Sequence, residues 1–157
     1  MYCCGITPYT PSHLGHARCY LACDVVHRWL EASGYDVNCV QNVTDIDDKI
    51  LAISDAEGVD YSEVANRNIA DFYEVMDAMN VLRADSYPSV TETIPEIINM
   101  VPTLIDKGHA DIGDDGVYFE IATSPEKFGK LPGQTPEMER PGDGGRLGDA
   151  CSRTREG

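Results

Sequence analysis

The sequence predicts an α/β fold built on parallel strands, and three observations carry that prediction. A short apolar segment at residues 2–6, a proline-punctuated loop, a long helical pattern and an extended segment at residues 36–43 make a strand–loop–helix–strand unit, the arrangement from which parallel sheets are built. Behind it lie segments whose apolar residues recur at spacings of three and four, the period of helices with one buried face. Further on, Ile112 and Val117-Tyr118-Phe119 flank Asp114-Asp115-Gly116, which reads as a hairpin.

Each element has a local cause. In Thr7-Pro8-Tyr9-Thr10-Pro11 two prolines fix their own backbone and restrict their neighbours, so the first strand ends in a loop. The first helix is expected from Ser12 or His13 to Ser33, with Ser12 as its cap and Gly34 at its end. Leu14, Ala17, Leu21, Val25 and Trp29 share one face and are expected to pack inward, with His27 and Arg28 outward. Another helix should start after Thr44, with Thr44 as its cap. Ser62 should cap the next, whose stripe is Ala65, Ile69, Phe72, Met76 and Met79, read as core. Ser89 and Glu92 have capping-box spacing before the stripe Ile94, Ile97, Val101, Leu104 and Ile105. Pro102 falls inside that pattern and predicts a kink or break, at a cost of roughly 3 kcal/mol.

With 157 residues, the chain has the length of one domain or part of a larger one. No apolar run approaches the roughly 20 residues of a membrane span, and the start lacks the basic and apolar regions of a signal peptide. A cytoplasmic protein is expected. The cysteines, Cys3, Cys4, Cys19, Cys23, Cys39 and Cys151, form no paired CxxC knuckles; free thiols, most of them small core residues, are the expectation. The formal net charge is −15, from 27 acids and 12 bases. That surface repels phosphate backbones, and no basic stripe offers a grip on nucleic acid. Residues 140–157 change character, with five glycines, four arginines and no apolar periodicity; they are expected to be a disordered tail behind a domain of residues 1–139.

The strongest chemical feature is His13-Leu14-Gly15-His16 at the helix start. A helix N-terminus offers free N–H groups and partial positive charge to phosphate. The histidines add donors, and Gly15 permits close approach to the backbone. Such donors suit an enzyme that must stabilise charge on an α-phosphate attacked by a carboxylate. On its own the pattern also fits a metal pair or a cap. Asp45, Asp47 and Asp48 suggest magnesium, or simply acids favoured at a helix start. Cys19 and Cys23, four apart, are read as core packing rather than a metal pair.

In context, HLGH resembles the HIGH signature of class I aminoacyl-tRNA synthetases, and the neighbouring residues are similar to those of cysteinyl-tRNA synthetase. Met1 to Thr7, MYCCGIT, is similar to that family's first strand and loop. HLGHAR at residues 13–18 fits its HIGH motif, and VQNVTDIDDK at residues 40–49 its second-strand segment. Gly108 to Ile121 resembles its later hairpin, and Phe128 to Leu131 the segment after it; the resemblance runs to about Gln134. It implies a partial class I Rossmann-type nucleotide-binding domain with parallel strands, followed by a helical and hairpin insertion. It implies His13 and His16 as catalytic, His13, Gly15 and His16 as ATP-binding, Gly5 and Thr44 as cysteine-binding, and Cys4 as a zinc ligand. Zinc would select the substrate's thiolate, because soft sulfur suits it better than a hydroxyl.

No match is found for the family's other zinc ligands, its KMSKS loop or its anticodon-binding region, so the chain is expected to be an incomplete fragment, inactive alone and needing a C-terminal half. Thr10 stands where the family usually has an aspartate. Cys3, Cys19, Cys23 and Cys39 stand where other residue types are common. The implied activity is ATP-dependent formation of cysteinyl-adenylate and transfer to tRNA. The related cysteine ligase of mycothiol synthesis, and a non-catalytic nucleotide- or partner-binding fragment, are the alternatives. Arg18 and Lys49 lean toward the tRNA enzyme.

Overall fold

The computed structural model describes residues 1–113, 116–123, Lys130 and Gly133. The elements are β1 (Tyr2–Cys3), α1 (Leu14–Ala32), β2 (Val40–Gln41), α2 (Asp48–Glu57), α3 (Tyr61–Ala78), α4 (Ile94–Asp106), β3 (Ala110–Ile112) and β4 (Val117–Phe119). They fall into two compact units, Met1–Ile97 and the residues from Ile98 on.

In the first unit β1 and β2 pair in parallel, Tyr2 with Val40 and Cys3 with Gln41, with α1 as the crossover. The expected β–α–β unit is present. Its regular strands are shorter than residues 2–6 and 36–43, because hydrogen bonding beyond Cys3 passes to side chains and isolated bridges. Val40 and Val43 form parallel bridges to Ser86 and Ser89 on the far side of β2. The core is Cys3, Ile6, Tyr20, Val43, Phe72 and Met76, with a second cluster of Ile50, Val64 and Ala65 under α2 and α3. The predicted α3 stripe therefore packs inward, Ile69 and Met79 from its margin.

Several boundaries move. His13, not Ser12, caps α1: its ring nitrogen accepts the Gly15 N–H at 3.1 Å, while the Ser12 N–H is held by the Asp71 carboxylate at 2.7 Å. The other end is as expected. The Gly34 and Tyr35 N–H groups return to Glu31 and Leu30, with Gly34 at φ +90°, a Schellman closure that favours glycine. Asp47, not Thr44, caps α2, and Asp60, not Ser62, caps α3; each carboxylate takes an N–H two residues on, at 3.0 and 2.9 Å. Ser89 Oγ does accept the Glu92 N–H at 3.3 Å, but a 3-10 turn, Thr91–Thr93, intervenes before α4.

The face of α1 is the largest correction. Leu14, Val25 and Trp29 are 84, 65 and 71 % exposed, whereas Tyr20, Asp24 and His27 are buried. The inward face is partly polar because its polar atoms have partners. Asp24 takes the Arg28 guanidinium at 2.7 Å and the Leu82 N–H at 2.9 Å, and Tyr20 OH donates to the Cys4 carbonyl at 3.3 Å. His27 is thus not on an outer face. Arg28 stays half-exposed and also donates to the Asn80 carbonyl at 2.7 Å.

α4 runs through Pro102 unbroken, contrary to expectation. The missing N–H leaves the Ile98 carbonyl without its helical donor, and no α4 residue is buried, so its apolar stripe does not form core among the described residues. In the second unit β3 and β4 make the expected antiparallel hairpin, Ile112 opposite Val117, closed by Gly113 N–H to the Gly116 carbonyl at 2.7 Å. Asp114, Asp115, the segment 128–131 apart from Lys130, the domain boundary at 139/140 and the tail of residues 140–157 lie outside the described residues. Among the described residues no helix is long and apolar enough to cross a membrane.

Candidate functional site

The loop between β1 and α1 is anchored from α3. Asn68, buried, donates from Nδ2 to the Pro8 carbonyl at 3.0 Å, and Asp71 accepts the Ser12 N–H. Tyr9 packs on the Ile50–Val64 cluster with Lys49 Nζ 4.8 Å above its ring. These contacts set where His13 begins α1.

At that start the His13 ring folds back, and its Nδ1 accepts the Gly15 N–H at 3.1 Å. A Cβ on Gly15 would lie 2.8 Å from His13 Cε1, so a larger residue there would push this ring aside. His16 Nδ1 accepts the His13 N–H at 3.4 Å, and the two rings stack, centroids 3.9 Å apart and 16° from parallel. With both Nδ1 atoms accepting, the ring protons lie on Nε2, which makes two N–H donors at the helix end. Burial first, and then His13 alongside, hold His16 below the ordinary 6.5, against the opposing pull of Asp71. The motif is therefore a paired donor set. It is also a cap, as the simpler reading had it.

Gly5 and Thr44 meet across the strand ends. The Gly5 N–H donates to Asn42 Oδ1 at 2.9 Å, Asn42 Nδ2 donates to Thr44 Oγ1 at 3.4 Å, and the Thr44 N–H reaches the Ile6 carbonyl at 2.9 Å. A Cβ on Gly5 would fall 1.3 Å from the Asn42 carbonyl oxygen. Cys4 is exposed just beyond β1. Among the described residues no group of three His, Cys, Asp or Glu side chains is placed to hold a metal ion; one thiol does not fit zinc, which takes four ligands. Asp47 and Asp48 serve the start of α2. Asp45 instead accepts the Thr91 N–H at 3.0 Å and bonds the Thr91 hydroxyl.

The cysteines divide. Cys3 and Cys39 are buried, Cys23 is half-buried against the core, and Cys4 and Cys19 are exposed, so Cys19 is not core packing. Burial, with Cys23 beside it, pushes the Cys3 thiol up to about 12. Sequence reasoning passed over Asn42, Asn68 and Asp71. The signal for Asn68 is a polar residue inside the apolar α3 stripe, between Ala65 and Phe72.

A parallel strand pair crossed by a helix is a fold that solved structures share. The structure superposes on the Mycobacterium tuberculosis methionyl-tRNA synthetase bound by methionyl-adenylate with a TM-score of 0.63, at 19 % identity, over 80 % of this chain and 33 % of that one. The chain belongs to the family described as tRNA synthetases class I (C) catalytic domain, whose model matches residues 1–150. It is 46 % identical over 155 residues to a cysteine--tRNA ligase of Cyanothece sp., covering 99 % of this chain and 31 % of that protein. It is 47 % identical over 154 residues to the L-cysteine:1D-myo-inositol 2-amino-2-deoxy-alpha-D-glucopyranoside ligase of Frankia alni, covering 94 % and 37 %. The chain thus spans about a third of the length of such relatives.

Proposed function

We propose that this chain supplies the phosphate-binding part of a cysteine--tRNA ligase, which joins cysteine to ATP as cysteinyl-adenylate, releases pyrophosphate and transfers the cysteinyl group to tRNA. The observation that carries the reading is the stacked His13–His16 pair, with both Nδ1 atoms accepting and both Nε2–H groups free to donate at the start of α1. ATP would lay its phosphates against that helix end. The His13 and His16 donors would follow the negative charge as it grows on the α-phosphate. Gly15 keeps the His13 ring folded back. Gly5 and Thr44, linked through Asn42, would border the amino acid, and Cys4 would face its side chain from the end of β1. Zinc would be held only if ligands from elsewhere joined Cys4.

The test is cysteine-dependent ATP–pyrophosphate exchange. The 157-residue chain should show negligible exchange alone and gain it when supplied with the remaining part of a cysteine--tRNA ligase, provided the two associate. Robust exchange by the chain alone would overturn the incomplete-site reading. The similar identity to the amino-sugar ligase favours one competing acceptor. Transfer to the 1D-myo-inositol amino sugar and not to tRNA would replace the proposed acceptor while leaving the adenylate step in place.

A further inference from the structure

Beneath the nucleotide-binding end, β1 and α1 bring two thiols together for which the proposed activity has no use. Cys3 Sγ and Cys23 Sγ lie 2.7 Å apart, about 0.65 Å beyond the roughly 2.05 Å of a disulfide bond. Both side chains, with Cys39, line a cavity of about 20 Å³, room for roughly one water, so the sulfurs have space to shift without displacing packed atoms. Gln41 Nε2 belongs to the same lining and is buried with no hydrogen-bond partner among the described residues. Cys23 is half-buried and Cys3 buried, which gives the pair an order of reaction.

We infer that Cys3 and Cys23 form a reversible intrachain disulfide, a modification site that ties the strand leading to Cys4 and Gly5 onto the helix opened by His13. A low-molecular-weight disulfide is the oxidant. The Cys23 thiolate attacks one of its sulfurs, breaking that S–S bond and releasing one small thiolate. The Cys3 sulfur, losing its proton as it attacks, then bonds to Cys23 Sγ in the mixed disulfide and expels the second small thiolate. The two protons leaving the protein thiols end on the two small thiols, so the protein pair is oxidised and the small disulfide reduced. Exposed Cys4 and Cys19 can at most carry the small thiol as a mixed disulfide, which adds its mass.

The test uses the full chain and oxidised glutathione. After incubation the protein is acidified, unfolded and alkylated, and its mass is read. The reduced chain, with Cys at six positions, should take six labels; after oxidation and discounting any chain that carries added glutathione mass, the chain should take four, with all six restored by dithiothreitol. Fragmentation of the non-reduced digest should place the link between Cys3 and Cys23. Cys23→Ser and Cys3→Ser should each abolish the loss of labels, and Cys19→Ser should retain it. Six labels after oxidation, or a link through Cys4, Cys19 or Cys39, would overturn the inference. The wild-type mapping decides the matter even if a variant fails to fold.

Discussion

Replacing Gly5 with alanine should be among the most damaging single-methyl additions in this chain. A Cβ at that position would stand 1.3 Å from the Asn42 carbonyl oxygen and 2.5 Å from its carbon. Both are backbone atoms, so no rotamer change relieves the clash, and the ends of β1 and β2 must move apart. Forced overpacking costs about 1–3 kcal/mol. The separation also breaks the 2.9 Å bond from the Gly5 N–H to Asn42 Oδ1, worth about 1 kcal/mol. The expected loss is therefore about 2–4 kcal/mol. Gly34→Ala is the reference: its Cβ would meet nothing within 4 Å, and only its φ of +90° is unfavourable, a cost of about 1–2 kcal/mol. Urea unfolding followed by far-ultraviolet circular dichroism measures both. Equal midpoint shifts in the two variants would refute the claim that β1 and β2 close on Gly5.

Two further expectations follow from the anchors. Asn68→Ala should cost about 1–3 kcal/mol by leaving the Pro8 carbonyl without its donor, and hydrogen exchange should rise in residues 7–12 more than in α2. Burial opposes ionisation of Asp24, but the Arg28 side chain and the Leu82 N–H outweigh it and hold its carboxyl below the ordinary 3.8. A depressed carboxylate contributes stability that is complete above its unfolded value and lost as pH falls through the folded one. The urea midpoint should thus fall with acidification below about pH 4, and less steeply in Asp24→Asn; identical slopes would remove Asp24 from the account.

The β–α–β frame was legible because its punctuation is chemical. Pro8 and Pro11 stop the first strand, and Gly34 alone tolerates the left-handed turn after α1. What the sequence hid was which face of α1 turns inward. Leu14, Leu21, Val25 and Trp29 form a regular stripe, yet a period identifies faces and not which one meets a core. Here the Tyr20–Asp24–His27 face goes inside, because Arg28, the Leu82 N–H and the Cys4 carbonyl satisfy its polar atoms across distances in sequence that no local pattern displays. The caps failed for the same reason. Ser12, Thr44 and Ser62 have the right chemistry, but His13, Asp47 and Asp60 stand at the true helix starts. At the site, the HLGH pattern pointed to donors at a helix end. The folded-back His13 ring, and with it the Nε2–H state of both imidazoles, required the structure.

The central claim is that His13 and His16 act on the charge that develops at the α-phosphate, and it can be tested most directly in the chain supplied with the rest of a cysteine--tRNA ligase. Cysteine-dependent ATP–pyrophosphate exchange should fall on the order of 100-fold in each of His13→Ala and His16→Ala, with the half-saturating cysteine concentration little changed, because the lost donors serve the transition state more than the bound amino acid. Exchange that persists at the unsubstituted rate in both variants would contradict the account.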